Sequence, residues 1–282
     1  REQNKSICYV EREQLHEGEA LNKQHMHLNL KGHLLSLQKP IVMGIYNVSP
    51  DSFYTESVEQ VLPKTVDIID LGGCSTRPGG EIASASDEKQ RLQQGFEQLN
   101  ALYPNIPISV DTFRPEIAHW AVTQQGAAII NDVSGGSDAM FNVVAQVQVP
   151  YVLTYPHGGN SSDMLFFFSK QIASLTRLGV NDIILDPGFG FGKTLEQNYE
   201  IARNLSCLKT FGLPILVGIS RKSMIQKVLG TTPQDSLNGT TVLNTLLLER
   251  GAHILRVHDV AEAQQAIALY EMVMRWFGDL VI

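Results

Sequence analysis

IILDPGFGFGKT, residues 183–194, runs three apolar residues into Asp186 and then into a glycine-rich turn. An uninterrupted apolar run of this kind reads as a strand buried on both faces, as in a parallel sheet, with a carboxylate delivered at its C-terminal end. That end is where α/β enzymes place their chemistry. Gly188, Gly190 and Gly192 let backbone approach a ligand closely, Phe189 and Phe191 supply apolar faces, and Lys193 closes the turn with a cation. A phosphate-cradling P-loop would need glycine at position 187, where Pro187 stands, and a dinucleotide fingerprint would need its third glycine where Lys193 stands. Both are rejected. The bland alternative is a tight strand-to-loop turn that merely happens to be rich in glycine.

Working outward, 282 residues with 43% apolar content allow one large domain with a sizeable core. The 22 Lys and Arg against 29 Asp and Glu give a net charge of −7, which argues against a broad nucleic-acid surface while permitting a local basic pocket. No apolar run approaches the roughly 20 residues a membrane-spanning helix needs, and the polar N-terminus does not resemble a secretory signal. A cytoplasmic protein without membrane or nucleic-acid partners is expected. Cys8, Cys74 and Cys207 show no C-x-x-C spacing, so neither a disulfide framework nor a zinc site is expected.

Residues 1–24 lack apolar periodicity and read as a polar extension, with Met26 an alternative start, leaving 25–282 as one domain. HLNLKGHLL then suggests a short hairpin that plugs one end of a barrel. From Ile41 onward, short apolar runs begin near Ile41, Ile68, Ile108, Ala128, Tyr151, Ile183, Ile215 and Ile254, with amphipathic segments between them. Leu92, Phe96, Leu99 and Leu102 form one helical stripe behind SASDEKQ. Pro115 suits a first helical turn, with Gly126 at that helix's end. Val260, Ala263, Ile267, Tyr270, Val273 and Met274 make a last helical stripe. Strand and helix alternating eight times predict an α/β fold of the (β/α)8 TIM barrel type.

A barrel enzyme should carry polar side chains where its strands end. The runs end at Asn47; at Gly73, followed by Ser75, Thr76 and Arg77; at Asp111; at Asn131 and Asp132; at Thr154, Tyr155 and His157; at Asp186; at Ser220, Arg221 and Lys222; and at Arg256, His258 and Asp259. Asp111, Asn131 and Asp186 suit a flat heterocycle bearing adjacent N–H donors and ring acceptors, because a carboxylate accepts two parallel N–H bonds and an amide both donates and accepts. Asp111 and Asp132 could equally cap the helices that follow. Arg77, Arg221, Lys222, Arg256 and His258 could hold phosphate or carboxylate, against the plainer reading of solvated charge. Asn47 could face Mg²⁺, a hard cation that bridges protein and pyrophosphate oxygens, or be a turn residue.

Seven stretches also carry a resemblance. MGIYNVSPDSF (43–53), DLGGCSTRPG (70–79), SVDT (109–112), INDVSGG (130–136), LDPGFGFGK (185–193), VGISRKS (217–223) and RVHDV (256–260) resemble, in order, the signatures of the dihydropteroate synthase family. The resemblance spans about residues 27 to 276. It implies a barrel enzyme of folate synthesis that joins 6-hydroxymethyl-7,8-dihydropterin diphosphate to 4-aminobenzoate and releases pyrophosphate. It further implies Asp111, Asn131, Asp186 and Lys222 as pterin-binding groups with Arg256 stacked on the ring, and Asn47 as the Mg²⁺ and diphosphate ligand. Thr76, Arg77, Arg256 and His258 become the anion site. Thr76, Arg77, Pro78, Phe191, Ser220 and Lys222 become the aminobenzoate pocket, with Gly218 in the same signature and the carboxylate at the start of the following helix. Of these, Asn47, Arg77, Lys222, Arg256 and His258 are expected to carry the catalysis. A homodimer is implied as well.

The chain departs from the family's usual pattern in three places. Tyr54-Thr55-Glu56-Ser57 replaces Ser-Asp-Gly-Gly, Cys74 replaces Glu, and Thr154-Tyr155 replaces Met-His. Two rivals keep the fold: a pterin-binding methyltransferase module, which has no pyrophosphate to expel, and a catalytically silent barrel that binds pterin.

Overall fold

The computed structural model describes residues 26–48, 62–73 and 83–278, the last four as backbone only. The expected extension 1–24, the altered loop at 54–57, Cys8, Cys74 and the site candidates Thr76, Arg77 and Pro78 lie outside these residues. Eight parallel strands form the sheet: β3 (Ile41–Asn47), β4 (Ile68–Gly72), β5 (Ile108–Asp111), β6 (Ile129–Asp132), β7 (Tyr151–Thr154), β8 (Ile183–Asp186), β9 (Leu216–Val217) and β10 (Ile254–Val257). From β3 to β8 each pairs with the next in sequence, and β10 pairs with both β3 and β9. A parallel bridge between Leu185 and Ile215, reinforced by Leu185 N–H donating to Pro214 O at 2.8 Å, joins β8 to β9 and closes the ring. The strands begin within one residue of the eight positions expected from the apolar runs.

From β4 onward helices separate the strands, and their ends follow local chemistry. α1 (Ala85–Leu102) starts where Ser84 Oγ accepts from Asp87 N–H. α2 (Pro115–Gln124) has Pro115 in its first turn and is followed by Gly126 at φ +84°. The other described α-helices are α3 (Asp138–Val147), α4 (Ser161–Arg177), α5 (Leu195–Arg203), α6 (Ser223–Leu229), α7 (Leu237–Glu249) and α8 (Val260–Gly278). Leu92, Phe96 and Leu99 are buried as expected, but Leu102 is 52% exposed. The neighbouring Tyr103 is buried in its stead, and its hydroxyl donates to Leu62 O and accepts from Leu62 N–H, both at 2.9 Å. The stripe of α8 likewise starts buried at Val260 and Ala263 and emerges into solvent at Val273 and Met274.

Two apolar layers build the core. One lies between sheet and helices; the other fills the barrel axis with Ile41, Met43, Ile68, Ile129, Val152, Ile184, Leu216 and Ile254. The hairpin of β1 (His27–Leu30) and β2 (His33–Ser36) brings Leu28, Leu30 and Leu37 onto that axial layer, so it does plug one end. Burying a leucine contributes about 1.5–3 kcal/mol. Because strand side chains alternate, the residue two positions beyond each axial one also faces inward, nearer the strands' C-terminal ends. Those positions are Ile45, Asp70, Asn131, Thr154, Asp186, Gly218 and Arg256, joined from β5 by Asp111, which pairs with Asn131.

Candidate active site

The inward layer changes from apolar to polar in one step, and its centre is a buried charge network. Arg256 Nε donates to Asp70 Oδ2 at 2.6 Å and Arg256 Nη2 to Asp111 Oδ2 at 2.7 Å. Asn131 Nδ2 donates to the same Asp70 oxygen at 2.9 Å. Three strands thus meet through one guanidinium, and Asn131 ties in a fourth through Asp70. The second oxygens of Asp70 and Asp111, and Asn131 Oδ1, are buried without a partner among the described residues. Buried polar atoms of this kind are costly, which marks them as places awaiting a hydrogen-bonding ligand. Burial pushes the Asp111 carboxyl up to about 7, against the pull of Arg256. Burial alone would lower the Arg256 pKa, but Asp70 and Asp111 raise it.

Asp186 closes the other side. Its Oδ1 accepts from Gly188 N–H at 2.8 Å, and burial raises its pKa while Lys222 opposes the shift. Gly188 is required here: φ is +66°, and a Cβ would stand 2.2 Å from Tyr155 O. Lys193 does close this turn, donating through Nζ to Gly188 O (2.8 Å), Tyr155 O (2.9 Å) and Phe191 O (3.1 Å). Its pKa falls to about 8 through burial. Lys222 Nζ donates to Phe189 O and lies 4.9 Å from the Phe191 ring centre, with burial lowering its pKa to about 8. Phe191, Lys222 and Asp186 therefore form one wall. Tyr155 faces its own loop, with its hydroxyl on Gly158 O at 2.9 Å and His157 edge-on at 5.8 Å between ring centres.

At the β9 and β10 ends, Ser220 Oγ lies 3.1 Å from His258 Nδ1 and accepts from His258 N–H at 3.2 Å. Gly218 brings backbone against Arg256, whose Cβ and Cδ would be 3.8 Å from an added Cβ. Arg221 does not join this group as an open anion ligand. It grips Asp259 with two bonds, Nε to Oδ2 at 2.9 Å and Nη2 to Oδ1 at 2.6 Å, and turns Nη1 to Pro233 O and Gln234 O. Asp132 is likewise committed, accepting from Ser134 N–H and Tyr151 hydroxyl, each at 2.8 Å. It caps its own turn, while Ser137 caps the helix. Asn47 is exposed on the rim, its Oδ1 2.8 Å from where a Cβ on Gly72 would stand, so glycine at 72 makes room for it. α6 begins directly after Lys222, with no side-chain cap.

The structure thus brings Asp111, Asn131, Asp186, Lys222, Arg256, Gly218, Ser220, His258, Phe191 and Asn47 to one mouth. One further group belongs to it, and a second braces the loop that follows β5. Asp70 anchors Arg256, and its inward place was readable from strand parity. Glu88, fully buried on α1, accepts from Thr112 Oγ1 at 2.6 Å and pairs with Arg114, whose Nη2 holds Ala83 O at 2.6 Å. In sequence Glu88 looks like an ordinary acidic residue of a first helical turn. An amide oxygen such as Asn47 Oδ1 fits Mg²⁺, which keeps few protein ligands and takes the rest from phosphate and water. Among the described residues no cluster of three His, Cys, Asp or Glu offers a fuller cage.

Comparison with known proteins agrees with this arrangement. The family described as "Pterin binding enzyme" matches residues 43–258. Dihydropteroate synthase of Escherichia coli strain K12 is 36% identical over 275 residues, covering 88% of this chain and 97% of that one. The Xanthomonas albilineans dihydropteroate synthase solved with 4-aminobenzoic acid superposes with a TM-score of 0.81 at 33% identity, over 88% of this chain and 98% of its own. The same enzyme in complex with 7,8-dihydropteroate gives 0.78 at 32% identity, over 88% and 99%.

Proposed function

The chain belongs to the pterin-binding enzymes and, within them, to the dihydropteroate synthases, and on that premise we propose that it condenses 6-hydroxymethyl-7,8-dihydropterin diphosphate with 4-aminobenzoate to give 7,8-dihydropteroate and pyrophosphate. The observation that carries the reading is the inward layer itself. Asp111, Asn131 and Asp186 ring a space in which Asp111 Oδ1 and Asn131 Oδ1 have no partner among the described residues.

Each residue then has a task. Asp186 and Asp111 accept N–H bonds from the heterocycle, Asn131 donates and accepts, and Lys222 donates to ring acceptors. Arg256, held level by Asp70 and Asp111, lies along the ring face and directs positive charge toward the diphosphate. His258, oriented by Ser220, shares the anion work with Arg77 and Thr76. Phe191 and the Lys222 stem flank the aminobenzoate ring, whose carboxylate meets Ser220 and the start of α6. Asn47 would hold Mg²⁺, which when bound supplies neutralising charge to the diphosphate. The amine lone pair forms the new C–N bond, the C–O bonding pair leaves with pyrophosphate, and the amine's surplus proton is released. The chain need supply no nucleophile; it contributes orientation and electrostatic stabilisation, about 3–4 kcal/mol for a well-placed group.

A second copy of the chain is the proposed partner. Support comes from Val242 and Leu246 on α7 with Leu269, Met272, Val273 and Met274 on α8, all exposed apolar side chains along adjoining helices. A cytoplasmic setting is proposed as well; among the described residues no helix is long and apolar enough to cross a membrane. The decisive assay is Mg²⁺-dependent pyrophosphate release that requires both substrates. Pterin binding without release would favour the silent barrel, and methyl transfer detected by mass spectrometry would favour the methyltransferase rival.

A further inference from the structure

Among the described residues six buried side-chain oxygens lack a hydrogen-bond partner: Asp70 Oδ1, Ser109 Oγ, Asp111 Oδ1, Asn131 Oδ1, Thr154 Oγ1 and Asn244 Oδ1. Five of them sit on β4 to β7, within the barrel, so the shortfall is concentrated at one place. Asp111 and Asn131 are accounted for by the reading above; the hydroxyls of Ser109 and Thr154 are not, and of these two Thr154 stands at its strand's C-terminal end, beside the mouth.

Thr154 ends β7 and is fully buried. Val152, two residues earlier, belongs to the axial apolar layer, whereas Tyr151 and Leu153 face the helices. Alternation therefore turns Thr154 inward. In the register it stands directly beside Asp186, and the strand on its other side carries Asn131. Its methyl packs against the Gly188 turn, with Cγ2 2.9 Å from where a Cβ on that glycine would lie. The hydroxyl occupies another branch of the same Cβ. The adjacent carbonyl Tyr155 O accepts from Lys193 Nζ at 2.9 Å.

We propose that the Thr154 hydroxyl is a substrate-contacting group that binds the N–H-bearing edge of the pterin between Asp186 and Asn131 and so adds to selection for an amino-substituted heterocycle. This rests on the function proposed above. Asp186 can only accept, and Asn131 is fixed by its bond to Asp70, so a neutral hydroxyl that both accepts and donates completes the edge. A site that pairs with a ligand's polar edge rejects analogues lacking it, because its own buried groups are then left unpartnered.

Thr154→Val keeps the shape and removes the hydroxyl; Thr154→Ser keeps the hydroxyl. Calorimetric binding of 6-hydroxymethyl-7,8-dihydropterin to the whole chain should weaken about fivefold to tenfold in Thr154→Val and stay within about twofold in Thr154→Ser. The Michaelis constant for 4-aminobenzoate should not change. The melting temperature of ligand-free Thr154→Val should hold or rise, since a buried hydroxyl without a partner is replaced by a methyl. Pterin affinity equal to that of the unaltered chain would overturn the inference, as would a fall in ligand-free melting temperature that accompanies the lost affinity, which would reveal a structural bond instead. Failure of the unaltered chain to bind any pterin would remove the functional reading itself.

Discussion

The two ends of the barrel are made from the same strands and differ in what they bury. At the hairpin end, Leu28, Leu30 and Leu37 close an axial layer built almost wholly of apolar side chains, with Ser109 of β5 the polar exception among the described residues. Two residues along those strands, the interior holds Asp70, Asp111, Asn131, Asp186 and Arg256, with several oxygens unpartnered among the described residues. The first end gains free energy by burial. The second gives some back, because desolvated polar atoms lower stability until a ligand satisfies them. A barrel can carry this division because its closed sheet satisfies the backbone at both ends alike, leaving side chains free to specialise.

Arg256→Ala should sharpen the contrast most. It removes the positive group shared by Asp70 and Asp111, so we expect turnover to fall about 10³-fold. Stability should also fall by about 3 kcal/mol, because two buried carboxylates lose their counter-ion. Pyrophosphate release at saturating substrates, with chemical denaturation alongside, measures both; retained turnover would move the anion site elsewhere. Leu28→Ala is the counterpart at the plugged end, in a side chain 1% exposed. It should destabilise the fold by about 3 kcal/mol through lost burial and the space left behind, while turnover per folded molecule stays unchanged. A loss of turnover at temperatures where the variant remains folded would break the division between the ends.

Much of this division was legible beforehand, and the reason is periodicity. The eight strands announced themselves as apolar runs because a parallel strand is buried on both faces, and counting two residues on from each axial position reaches the functional layer. What stayed hidden were commitments between distant residues. Arg221 and Lys222 look alike in sequence, yet Arg221 is fastened to Asp259 while Lys222 reaches across to Phe189 O beside Asp186. Glu88 gave no sign of being buried, since its partners Thr112 and Arg114 arrive from another strand's loop. Leu102 fitted the helical stripe but lies where α1 has passed beyond the sheet, and Tyr103, with a hydroxyl able to bond Leu62, fills the place instead. Pairing choices of this kind depend on loop geometry, which local pattern does not encode.

The smallest expected effect is a pH dependence confined to the polar end. Burial raises Asp111 to about 7, and this outweighs the attraction of Arg256. In the unfolded chain an aspartate titrates near 3.9. Between those values the folded state holds a proton that the unfolded state has released, so stability contributed by this group is full below about pH 4 and is lost as pH rises to about 7. Binding runs the other way. N–H bonds from the pterin are stronger to an ionised carboxylate than to a carboxylic acid, so each pH unit below about 7 should weaken pterin affinity, by up to about tenfold, until another group intervenes. Calorimetry with 6-hydroxymethyl-7,8-dihydropterin, which carries no titrating phosphate, isolates the effect, and Asp111→Asn should flatten the acid limb. An affinity constant from pH 5 to pH 8 would mean that Arg256 prevails over burial and keeps Asp111 ionised throughout. The polar end would then be a permanently charged cradle, and the unpartnered Asp111 oxygen would be poised for its ligand without first giving up a proton.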